Sequence, residues 1–138
     1  MQSAIGMAHT PNTRLWVGRV FGGLAILFLL FDAAGKLARH PAVVEGTVQL
    51  GYPASVVFGI GVVLLICVLL YAAPPTSVLG AVLLTGYLGG AIATHVRVAS
   101  PLFTHTLFPI YVAVLIWGGL YLRDSRLRAL LPLRKAQY

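Results

Sequence analysis

Asp32 and Lys36 stand four residues apart near the end of a long apolar segment, so a helix there carries both on one face. A bilayer accepts ionisable groups at such depth only where they meet partners or water. Three readings fit the pair. Asp32 and Lys36 can simply neutralise one another. They can form a proton-handling or anion-binding site, with Lys36 as cation or electrophile and Asp32 as its anchor or as a base. Lys36 can also extend its ammonium to the interface alone. His95 and His105 are a second feature, flanking a predicted turn that lets their imidazoles approach one another. Histidine titrates near neutrality and ligates zinc, copper or haem iron. The spacing matches no standard ligand motif, however, and a hydrogen-bonded pair is the plainer reading, so no metal ligand is assigned. Glu45, Gln49 and Arg97 are the other polar side chains expected on the same side of the membrane.

Long apolar segments must position these groups. With 59% hydrophobic and 9% charged residues in 138, the chain cannot hide its apolar surface inside one soluble core, where about 25% charge is usual. Four stretches reach the roughly 20 residues needed to cross a bilayer: residues 15–37, 53–73, 77–98 and 101–122. The expected fold is therefore an all-α, four-helix membrane bundle forming one domain. A cleaved signal peptide centred on residues 20–31 is the rival for the first stretch. Its apolar character resumes at Ala33, Ala34 and Leu37, and Asp32 suits a cleavage site poorly.

Helix punctuation agrees. Pro74 and Pro75 stop the second span, Thr76 or Ser77 can cap the third, and Ser100 precedes Pro101 as a cap for the fourth. Pro109 interrupts the fourth span, and a kink there would free the His105 carbonyl unless Thr104 or Thr106 repairs the break. The longest link, residues 38–52, predicts a short interfacial helix opened by Pro41 and closed by Gly51, with an apolar side and with Glu45 and Gln49 opposite. Gly86 and Gly90 in the third span, beside Gly89 and Ala93, predict close helix packing; close approach of a ligand to bare backbone is the alternative. Trp16, Trp117, Tyr71, Tyr121 and Tyr87 fall near predicted interfaces, as aromatic belts do. Residues 1–12 and 133–138 read as poorly ordered tails.

The formal net charge is +7, but the basic residues sit at segment ends, where they orient a membrane protein instead of building a nucleic-acid surface. With four spans, Arg14, Arg19, Arg123, Arg126, Arg128, Arg134 and Lys135 share one side; Lys36, Arg39 and Arg97 share the other. That imbalance predicts that both termini are cytoplasmic; in a bacterial plasma membrane, the location expected for this chain, the Asp32 end is then extracytoplasmic. The single cysteine, Cys67, lies in an apolar run, which excludes an internal disulfide and dithiol chemistry. Nucleotide-loop, serine-nucleophile and cysteine-rich metal signatures are absent from the sequence.

Several blocks resemble the DoxX-like family of small bacterial membrane proteins: Gly35-Lys36-Leu37, Leu50-Gly51-Tyr52-Pro53, Pro74-Pro75 and the run from Thr85 through Gly86-Tyr87-Leu88-Gly89-Gly90-Ala91 to Thr94-His95. The resemblance implies a four-helix membrane bundle and a link to membrane oxidoreductase systems and quinones, without naming catalytic residues. Lys36, Tyr87, Thr94 and His95 fall inside the resembling blocks. Asp32, Glu45 and His105 come from the physics of the residues. The resulting expectation is an oxidoreductase component or accessory that binds a quinone-like or lipid-like molecule. Asp32, Lys36 and His95 are its candidate catalytic residues, and Glu45, Gln49, Tyr87, Thr94, Arg97 and His105 its ligand contacts. No cofactor is assigned: quinone is one option, and haem or a metal through His95 and His105 is the lesser one. The expected partners are the bilayer, a small apolar ligand, and a partner membrane subunit or second copy. The alternative is a non-catalytic assembly factor or small-solute transporter.

Overall fold

A computed structural model describes residues 10–131. Helix α1 (Thr10–Leu37) is followed by the short α2 (Pro41–Gln49), then α3 (Val57–Ala72), α4 (Ser77–Arg97), α5 (Phe108–Arg123) and α6 (Ser125–Leu130). With their leading turns, four of these are long and apolar enough to cross a membrane: Thr13–Leu37, Ala54–Ala72, Pro74–Arg97 and Leu102–Arg123. Residues 10–12, expected in a tail, are helical; residues 1–9 and 133–138 of the expected tails lie outside the described residues.

Short links make neighbours antiparallel, and the bundle closes as a ring. α1 packs on α3 and α5, α4 packs on the same two helices, and α1 and α4 face each other across the diagonal. Leu29, Leu64, Leu84, Ile116 and Leu120 fill the centre, with Cys67 as one more small apolar residue there. Outside, Phe31 is 81% exposed and Leu27 69% exposed, the apolar exterior of a bundle whose solvent is lipid.

Close helix contact occurs at glycines other than those the third-span motif points to. A Cβ on Gly119 of α5 would lie 2.8 Å from the Gly22 nitrogen of α1, and one on Gly80 of α4 would lie 2.2 Å from the Tyr71 nitrogen at the end of α3. Bare backbone is what lets these pairs touch. Nothing lies within 4 Å of a Cβ built on Gly86, Gly89 or Gly90. The expected packing role of Gly86 and Gly90 is therefore not realised between this chain's own helices.

The turns differ from expectation in an instructive way. Thr76 and Ser77 do not cap α4; their hydroxyls donate back to the Leu70 and Tyr71 carbonyls, each at 2.8 Å, and so finish the previous helix. Ser100 likewise caps nothing, because a π-helical turn (Leu102–Thr106) intervenes before α5. Pro109 consequently sits in the first turn of α5, where a missing N–H costs nothing, rather than kinking a continuous helix. Tyr71 is not an interfacial belt residue: it is fully buried, and its hydroxyl donates to the Ile116 carbonyl at 2.9 Å. α6 has a clear local cause, since the Asp124 carboxylate accepts the Arg126 and Leu127 amides at its start.

Candidate functional site

At one end of the ring the four long helices separate, and α2 lies across the opening. The result is a cavity of about 900 Å³, in the range of small-molecule sites. α2 forms because Pro41 presets the first turn, His40 accepts the Ala42 amide, and Gly51 at φ +92° turns the chain away afterwards. Two contacts fasten it. Arg97 donates to the Leu50 carbonyl at 2.8 Å, and the Tyr52 hydroxyl meets that of Thr94 at 2.9 Å. Thr94 itself donates to the Gly90 carbonyl at 2.8 Å, so Tyr52 is the donor between the two.

Asp32 and Lys36 both line the cavity and form an ion pair within α1. Asp32 stands a little over one turn below the end of the span, and Lys36 is the residue before its last. The Lys36 stem is fitted against α3 through Gly61, where an added Cβ would come within 2.8 Å of the Lys36 Cβ. Burial of the lysine side chain to 13% exposure, against 32% for Asp32, shows that the ammonium is turned inward and does not snorkel outward.

His95 and His105 also meet at the cavity, with ring centroids 5.9 Å apart and edge-on geometry. Each Nδ1 pairs with a hydroxyl, His95 with Ser100 at 3.0 Å and His105 with Thr104 at 2.8 Å. That leaves both Nε2 atoms toward other partners. No group of three or more His, Cys, Asp or Glu suited to a metal occurs among the described residues.

Tyr87 lines the cavity from α4, and its hydroxyl makes no hydrogen bond with any described residue. Gln49 lines it from α2, while Gly86 and Gly90 supply bare backbone on one wall. The structure thus brings Asp32, Lys36, Gln49, Tyr87, Thr94, His95 and His105 together around one space. Glu45 is exposed and does not line it, and Arg97 reaches α2 instead of the interior. Leu29, Ile60, Phe28, Phe108 and Val112 make most of the remaining wall apolar.

A family model matches residues 20–119, and its description is the DoxX-like family. The chain belongs to the DoxX-like family. No curated protein and no solved structure matches it. In this DoxX-like protein the matched stretch includes every cavity-lining residue, from Phe28 to Val112, but ends before Arg123 and α6. Tyr52 and Ser100 are the site residues that sequence reasoning does not assign. Tyr52 stands within the Leu50-Gly51-Tyr52-Pro53 block, yet its pairing with Thr94 spans 42 positions and depends on where α2 folds.

Proposed function

We propose that this DoxX-like membrane protein binds a quinone-like or lipid-like small molecule at the α2 end of the bundle, as a component or accessory of a membrane oxidoreductase system. The observation that carries the reading is the cavity itself: about 900 Å³, mostly apolar, with an ion pair, two imidazoles and an unengaged phenol converging on it. An isoprenoid or acyl tail suits the apolar walls, and a polar head suits the group around Lys36, Tyr87 and His95. Asp32 and His95 are the groups placed to exchange a proton with such a head. The charge imbalance between the two ends supports an extracytoplasmic position for this head-binding end in a bacterial plasma membrane.

The test is a titration of the purified protein in nanodiscs with a decyl-substituted benzoquinone, together with mass spectrometry of small molecules that copurify. Saturable binding with a dissociation constant on the order of micromolar, weakened by Lys36→Ala and His95→Ala, supports the reading. Bulk phospholipid alone, with no saturable quinone binding, overturns it. A second reading, assembly of a partner complex, draws on one observation: Gly89 is exposed with open space around it, a smooth helix face for another membrane helix. Gly89→Leu disrupting a stoichiometric copurifying partner, with quinone binding intact, would favour that reading.

A further inference from the structure

The hydrogen bonds around the cavity state which of its polar groups are already occupied. Apart from the two imidazoles, one basic and one acidic side chain line it among the described residues, and these two are paired: Lys36 donates to Asp32. Arg39, Glu45 and Arg97, the other charged residues near this end, do not line it. Tyr52 gives its proton to Thr94, and Thr94 gives its own to Gly90. Ser100 and Thr104 occupy the Nδ1 atoms of His95 and His105. What remains open among the lining residues is uncharged: the Tyr87 hydroxyl, the Gln49 amide and the two Nε2 atoms.

A head bearing a carboxylate or phosphate would meet Asp32 beside Lys36, and would have to take the ammonium from it at a part-buried position. An ammonium head would meet Lys36 beside the only anion, with the same difficulty. A neutral head with a carbonyl or hydroxyl oxygen disturbs neither charge and satisfies Tyr87. We infer that the cavity selects an amphiphile with an uncharged, oxygen-bearing head that accepts a hydrogen bond from the Tyr87 hydroxyl, and that the Asp32–Lys36 pair rejects singly charged heads of either sign. This rests on the reading of the cavity as a small-molecule site and narrows its ligand class.

The experiment is a matched series in zwitterionic nanodiscs: a decyl-substituted benzoquinone, decanoate and decylammonium, each corrected for partition into the bilayer. The wild-type protein binds the benzoquinone roughly tenfold or more tighter than either charged probe. Tyr87→Phe weakens the benzoquinone roughly three- to tenfold, the worth of one hydrogen bond. Asp32→Asn frees the Lys36 ammonium and moves the preference toward decanoate; Lys36→Gln frees the carboxylate and moves it toward decylammonium. The wild-type series stands without these variants should either fail to fold. Decanoate or decylammonium binding as tightly as the benzoquinone overturns the inference while leaving the cavity a binding site. No binding by any probe overturns the site reading and the inference with it.

Discussion

At the residue scale, Asp32 and Lys36 are worth more together than the sum of their separate roles. A lone charge near the centre of a membrane helix costs about 2.5 to 3.5 kcal/mol, whereas an exposed ion pair contributes about 0.2 to 1 kcal/mol. A part-buried pair in the last two turns of the span belongs between these limits. A double-mutant cycle with Asp32→Asn and Lys36→Gln is expected to give a coupling energy of about 1 to 2 kcal/mol, read from unfolding in detergent. A coupling near zero would mean that water, not the partner, satisfies each charge. The pair is legible in the sequence because helical periodicity alone fixes an i, i+4 contact. His95 and His105 are nearly as legible, since a short link leaves their rings few places to go. The Tyr52–Thr94 bond is not, because it joins residues 42 apart through a link whose path only the folded α2 determines.

At the element scale, two kinds of glycine occur in α4, and sequence does not tell them apart. Gly80 sits where the backbone of α3 would collide with any side chain, while Gly86 faces the cavity with nothing within 4 Å. The Gly86 and Gly90 spacing is the familiar one for helix packing, yet spacing defines only a face; which helix stands opposite follows from the ring of contacts that sets α1 and α4 apart. Gly80→Ala is therefore expected to destabilise the bundle by about 3 kcal/mol, and Gly86→Ala to change it by less than about 1 kcal/mol. Unfolding transitions of the two variants under the same conditions check this, and equal losses would restore the packing role to Gly86. The capping hydroxyls were similarly ambiguous, because Thr76 and Ser77 serve the helix behind them as readily as the one ahead. For α2 the fastening is specific enough to test. Tyr52→Phe removes one of its two cross-bundle hydrogen bonds, and amide exchange across residues 41–52 is expected to quicken roughly fivefold, with α3 unchanged. Exchange at the wild-type rate would show that Arg97 and packing hold α2 without Tyr52.

At the scale of the whole molecule, the two ends of the bundle are chemically opposite. The α2 end has an open cavity with paired charges; the other end carries α6, whose Leu127 joins the buried core, and most of the arginines. There Arg123 lies over the Tyr71 ring at 5.3 Å, with its Nε and Nη2 atoms buried and unbonded, so the ring face offsets part of its desolvation. Arg128 turns back and donates to the Tyr121 and Leu122 carbonyls, at 2.8 and 2.9 Å, where the end of α5 concentrates negative potential. An even number of spans puts the start of α1 and the α6 end on one side, and the basic excess of that side predicts it to be cytoplasmic. Single-cysteine labelling reads this directly, because the native Cys67 is only 6% exposed and contributes little background. Glu45→Cys on α2 is expected to react with a membrane-impermeant thiol reagent on intact cells, and Ser125→Cys at the start of α6 only after permeabilisation; both native residues are exposed. The reverse pattern would place the cavity mouth in the cytoplasm, where a head group bound beside Asp32 and Lys36 would exchange protons with the opposite compartment.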